Sequence, residues 1–188
     1  QGYYPQLCIT AVSVPGTQIG DVSGNGVRFL DNSRIEGTIS SMADQAVAFC
    51  LRNMKVRTVI DPRTGRRDDR TEYPVEAIRE AVLNALIHRD YSTYTEGTPV
   101  QLDLFTDRLE VHSPGCLYGG MSVEQLGYAK PELRNPALAV MAEKLTGAEN
   151  RYSGIPTMRR AMKEFHLPEP QFENRRDEFV VTFYNTAA

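Results

Sequence analysis

Apolar residues in the stretch 73–92 (YPVEAIREAVLNALIHRDYS) recur at helical spacing. At about 100° per residue, Val75, Ile78, Val82, Ala85 and Leu86 fall on one stripe, which predicts an amphipathic helix with a buried face. Pro74 suits its first turn, and Glu76 follows where the helix dipole favours an acid. Ile39, Met42, Ala46, Phe49 and Cys50 keep the same period and predict a helix over 38–53. Elsewhere the pattern alternates. Residues 7–14 (LCITAVSV) read as a strand that stops at Pro15-Gly16, and 55–60 as a strand with Val56, Thr58 and Ile60 on one face. Val100, Leu102 and Leu104, then Leu109, Val111 and Ser113, form a hairpin about Thr106-Asp107. A second strand pair, ending in VVTF, is expected within 172–183 around Arg176-Asp177.

The remaining segments are shorter. Residues 17–26 read as a loop, 27–30 as a short strand and 61–72 (DPRTGRRDDRTE) as a charged turn. Ser122 is expected to cap a short helix over 123–126. Asn135 caps the next, with Pro136 at its first position, Ala139, Val140, Met141 and Leu145 following, and Gly147 as its stop. A last helix over 156–165 is expected to turn Arg159, Arg160 and Lys163 to solvent. Helices and strands in this order predict an α/β (α+β) fold, a two-layer sandwich of helices on a mixed, mostly antiparallel sheet. Residues 1–69 read as connector strands and a helix packed as an extension, and 70–188 as the main domain.

Composition narrows the function classes. Of 188 residues, 41% are hydrophobic and 24% charged, which suits a globular domain with a sizeable core. A net charge of −3 leaves no electrostatic footprint for nucleic acid or membrane. Arg63, Arg66, Arg67 and Arg70 do cluster, but Asp61, Asp68, Asp69 and Glu72 cancel them locally, so a solvated hairpin tip is expected. No apolar run approaches a spanning helix and no signal peptide opens the chain. Cys8, Cys50 and Cys116 lie far apart without a C-x-x-C and read as reduced, buried thiols of a cytoplasmic protein. His88, His112 and His166 are equally scattered, so no zinc site is expected. The opening at Gln1, in strand-like sequence, suggests a fragment of a longer protein.

Candidate chemistry begins with Glu80 and Asn84, one helical turn apart on a face other than the apolar stripe, with His88 a further turn on. A carboxylate and a carboxamide so placed can hold a hydrated cation, and the carboxylate can accept a proton from water. An ordinary helix with a solvated Glu/Asn edge explains the same spacing. Ser113-Pro114-Gly115 and Gly119-Gly120 give the backbone of 113–120 freedom to approach a ligand, and turns alone also account for them. Arg89-Asp90-Tyr91, past the helix end, reads as a capping and salt-bridge cluster.

Taken in order, YPVEAIREAVLNALIHRDYS, DRLEVHSPG, RNPALA, SGI and the closing PEPQFE…FVVTF resemble one family. It is the C-terminal, ATPase-like domain of RecG-like bacterial transcriptional regulators that carry an AlbA-type DNA-binding domain. The resemblance covers about residues 70–185. Neither helicase motor motifs nor a Walker A pattern is present. The family is similar to the GHKL (Bergerat) ATPases, in which a helix supplies a Glu and, four residues later, an Asn that coordinates nucleotide-bound Mg²⁺. The resemblance therefore implies ATP and Mg²⁺ as cofactors. It places Glu80 as the water-activating carboxylate, Asn84 as the Mg²⁺ ligand, and Ser113, Gly115, Ser153 and Gly154 at the nucleotide. Two positions depart from the superfamily. Ser113 stands where an Asp reads the adenine amino group, and Tyr152 replaces a glycine of the Gly-rich element before the last helix. The resemblance thus implies a regulatory ATP-binding domain with weak hydrolysis at most, whose DNA contacts come through another domain of the full-length protein. The alternative keeps the fold, makes the nucleotide site vestigial and leaves a structural or homodimerisation module.

Overall fold

A computed structural model describes residues 4–60, 63–65, 67–146 and 153–186. In chain order the strands are β1 (Ile9–Ser13), β2 (Asp31–Ile35), β3 (Val56–Ile60), β4 (Arg67–Thr71), β5 (Val100–Leu104), β6 (Arg108–Pro114), β7 (Gln171–Asn174) and β8 (Glu178–Tyr184). The helices are α1 (Ile39–Asn53), α2 (Val75–His88), α3 (Pro136–Thr146) and α4 (Gly154–Glu164). Six strands form one sheet in the order β2-β1-β5-β6-β8-β7. Only the β1–β5 pair is parallel, the other four pairs being antiparallel. Helices lie on one face of this mixed sheet, which is the expected two-layer α+β sandwich. Because β1 pairs with β5, segments on both sides of residue 70 share one sheet.

α2 is the centre of the helical layer, packed against α1, α3, α4 and β6. Ile78, Val82 and Leu86 are fully buried, each worth about 1.5–3 kcal/mol by removal from water. Val75, the first position of the expected stripe, is exposed, while Ala77, Ala81 and Leu83 are buried. Neighbours on three sides bury more of α2 than one stripe, and the small Ala77 and Ala81 are suited to close packing. The sheet contributes Ile9, Leu102, Leu109, Val111 and Phe183 to this core, α1 contributes Phe49, and α4 contributes Met158 and Met162. Thr38 caps α1 by accepting from Ser41 N–H at 3.3 Å.

Several sequence expectations are corrected. The short strand forms not at 27–30 but at Asp31–Ile35, whose polar residues pair with β1 at the sheet edge. The charged turn at 61–72 holds strand β4, which pairs with β3 in a separate two-stranded sheet. There Asp69 accepts from Thr58 at 2.7 Å and from Arg67 at 3.1 Å, so the charges of Asp69 and Arg67 are satisfied across and along the hairpin. Arg66 and Asp61 lie outside the described residues. Cys116 is exposed, whereas Cys8 and Cys50 are buried free thiols. Among the described residues no helix is long and apolar enough to cross a membrane.

Candidate functional site

A cleft of about 460 Å³ opens between the C-terminal half of α2, the end of β6, the segment after it, α3 and the start of α4. Its lining includes Glu80, Asn84, Ser113, Gly115, Ser153 and Gly154, six residues drawn from three separate stretches of the chain. Tyr152 lies outside the described residues.

α2 presents Glu80 and Asn84 one above the other toward the first turn of α4. Asn84 Nδ2 donates to the Glu80 backbone carbonyl at 2.8 Å, which orients the carboxamide and leaves Oδ1 as its remaining acceptor. Glu80 is half-buried, and burial, reinforced by the neighbouring Glu76, pushes its carboxyl above the usual range. Gly154 begins α4, so the first backbone N–H groups of that helix, and its positive dipole end, sit beside the Glu80/Asn84 pair.

At the other end of the cleft, Ser113 is buried and its hydroxyl donates to the Ala85 carbonyl at 3.1 Å. Gly115 has φ +96°, and a Cβ there would lie 2.6 Å from Asp90 Cβ, so both the backbone conformation and the contact require glycine. That contact ties the turn after β6 to the end of α2. Asp90 N–H donates to the Pro114 carbonyl at 2.7 Å, and the Asp90 carboxylate pairs with Arg134 Nη1 at 2.9 Å. Burial works against the Asp90 carboxylate, but hydrogen bonds from Ser92 and the charges of Arg134 and Arg89 hold its pKa below the usual range. The Arg89-Asp90-Tyr91 turn is a capping cluster. Buried Arg89 donates to the Thr98 carbonyl at 2.9 Å, and Tyr91 Oη donates to the Leu86 carbonyl at 2.5 Å.

The segment between β6 and α3 covers one side of the cleft; the sequence pattern had singled out only its first part, up to residue 120, as backbone able to approach a ligand. Arg134 Nη2 donates to the Cys116 carbonyl at 2.8 Å and its guanidinium lies 5.1 Å from the Tyr118 ring centroid. Asn135 stands at the cap position of α3, its carbonyl accepting from Ala139 N–H at 3.0 Å, and its side-chain N–H₂ donates to the carbonyls of Ile87 (2.9 Å) and Arg89 (2.8 Å) at the end of α2. Arg159, expected to face solvent, donates to the Leu126 carbonyl at 3.0 Å and packs 4.9 Å from the Tyr128 ring. Tyr118, Tyr128, Lys130 and Arg134 all line the cleft. The RNP run held a signal for Asn135, whose carboxamide ahead of a helical Pro supplies a donor where α2 leaves carbonyls free.

Comparisons with known proteins bear on the fold and on part of this site. Among solved structures, the DIP2311 protein from Corynebacterium diphtheriae superposes with a TM-score of 0.77 over 96% of this chain, at 24% sequence identity. The chain spans only 35% of the length of that protein, and the likeness is one of fold. No curated protein matches the chain. Residues 97–183 match the family described as "Putative ATP-dependent DNA helicase recG C-terminal". Ser113, Gly115, Ser153 and Gly154 fall within the matched span, and Glu80 and Asn84 precede it. Over residues 97–183, then, this chain is similar to the RecG C-terminal family, an ATPase-like domain.

Proposed function

We propose that the domain binds a nucleoside triphosphate with Mg²⁺ in this cleft and serves as a nucleotide-sensing module rather than an efficient ATPase. The observation that carries the reading is the convergence of Glu80, Asn84, Ser113, Gly115, Ser153 and Gly154 on one cleft. The residues present fit the ligand. Asn84 Oδ1 and the Glu80 carboxylate offer the few oxygen donors that Mg²⁺ takes from protein when phosphate and water supply the rest. The first turn of α4 offers N–H groups and a positive dipole end to phosphate, and the absence of a side chain at Gly154 lets that turn come close to Glu80 and Asn84. Ser113 has already given its only proton to Ala85, so its oxygen faces a ligand solely as an acceptor. A base with an exocyclic amino group suits that position. Mg²⁺, when bound, would neutralise phosphate charge.

The sensing role rests on what surrounds the ligand. Arg134 and Arg159 tie the covering segment to the β6 turn and to α4, so a ligand in the cleft acts on contacts shared by α2, α3 and α4. In the longer protein such a change would reach a DNA-binding domain elsewhere in the chain. Titration with ATP, with and without Mg²⁺, tests the reading. Binding that strengthens with Mg²⁺ and loses that dependence in Asn84→Ala supports it, and no binding at millimolar nucleotide ends it. Phosphate release abolished by Glu80→Ala, with binding retained, would instead make the domain an ATPase.

A second reading, a homodimerisation module, draws on the β3–β4 hairpin. It stands apart from the main sheet with Val56 61% and Ile60 64% exposed. A chain that stays monomeric in light scattering at high concentration removes it.

A further inference from the structure

We propose that the sheet face opposite the helices carries a divalent-cation site of the Zn²⁺ class, with Asp103, Glu110 and His112 as ligands. It is independent of the nucleotide reading, because these residues are absent from the cleft lining. Strand register builds the site. Asp103 on β5 pairs directly with Glu110 on β6, and His112 follows two residues on, so all three project from one face. Glu178 on β8 reaches the same histidine from the far side, diagonal to it in the register.

The geometry suits a metal in three respects. First, one nitrogen of His112 and one oxygen of each carboxylate all lie within 4.8 Å of one another. His112 Nε2 is 3.1 Å from Glu110 Oε2 and 3.7 Å from Asp103 Oδ2. Donors at ~2.1 Å from a tetrahedral ion sit about 3.4 Å apart, a value these two distances bracket. Second, His112 Nδ1 lies 3.0 Å from Glu178 Oε2. A carboxylate on the other ring nitrogen is the outer partner that fixes the tautomer and orientation of a metal-binding histidine. Glu178 is itself held by Arg175 at 2.7 Å, and Glu110 by Arg108 at 2.6 Å, so each carboxylate already has a fixed direction. Third, Asp103 is only 8% exposed yet accepts no hydrogen bond among the described residues. Its one partner is the histidine nitrogen at 3.7 Å, beyond hydrogen-bond reach. A mostly buried carboxylate that faces the cluster without a donor of its own leaves its oxygens available to a cation.

Both ring nitrogens of His112 face carboxylates. The ion binds Nε2 of the neutral ring, and any proton carried there leaves to solvent. One imidazole and two carboxylates suit Zn²⁺ or a neighbouring first-row ion, and three protein donors leave a fourth position for water. Such an ion would pin β5 to β6 on the uncovered face of the sheet.

The test is calorimetric titration of the chelator-treated, tag-free chain with Zn²⁺, and absorption titration with Co²⁺. Both use a Cys116→Ser background that removes the exposed thiol. The expected result is one ion per chain and a higher melting temperature with Zn²⁺. Affinity should fall by more than about 100-fold in His112→Gln and Asp103→Asn, and by about 10–100-fold in Glu178→Gln with stoichiometry unchanged. If Asp103→Asn prevents folding, Glu110→Gln serves in its place. Absence of stoichiometric binding, or binding undiminished in His112→Gln and in the carboxylate variant, overturns the site.

Discussion

A methyl group on Gly154 would lie 2.4 Å from Asn84 Nδ2 and 3.0 Å from Glu80 Oε2. The first residue of α4 and the polar edge of α2 are thus in direct contact through the one residue type that permits it. Gly154→Ala should push these elements apart at a cost of about 1–3 kcal/mol, as overpacking does elsewhere. Chemical denaturation should show that loss, and nucleotide titration should show affinity reduced by at least about tenfold.

Glu80 gives the site a pH signature. Its folded pKa is raised by burial, so the protonated form favours the fold. That contribution is complete below the unfolded value of about 4.3 and is lost as pH rises through the folded value. At pH 7 the ionised carboxylate therefore works against stability, and Glu80→Gln should raise the melting temperature by a few degrees. Melting curves run downward in pH should show the gain shrinking to nothing below about pH 4.

Asp90 and Arg134 pair at 2.9 Å with side chains 18% and 17% exposed. Asp90→Ala leaves a mostly desolvated guanidinium and should cost about 1–3 kcal/mol, between the values for exposed and buried pairs. Because the same arginine holds the Cys116 carbonyl, the segment 116–133 should become more sensitive to limited proteolysis.

Tyr73 is fully buried, and its hydroxyl has no hydrogen-bond partner among the described residues. Removing an unsatisfied polar atom recovers its desolvation cost, so Tyr73→Phe should be neutral or stabilising by up to about 1–2 kcal/mol in urea unfolding.

Local pattern carried much of this architecture. The period of Ile78, Val82 and Leu86 determined α2, and the alternation of Leu102 and Leu104 against Leu109 and Val111 determined the β5–β6 hairpin. Each signal comes from residues close in sequence that share a buried face. β2 and β4 were not readable in this way. DNSRI and RDDRT have no apolar alternation, and pairing with β1 and β3 is what makes them strands. The Glu80/Asn84 spacing was visible in the sequence. Only packing could bring Gly154, many residues downstream, to within a methyl group of it. The carboxylate–histidine cluster is the clearest case. Three histidines far apart argued against a metal, yet register set Asp103 opposite Glu110 and let Glu178 reach His112 from a third strand. Sequence periodicity reports which face of an element is buried, whereas which elements become neighbours, and at what offset, is decided by the sheet as a whole.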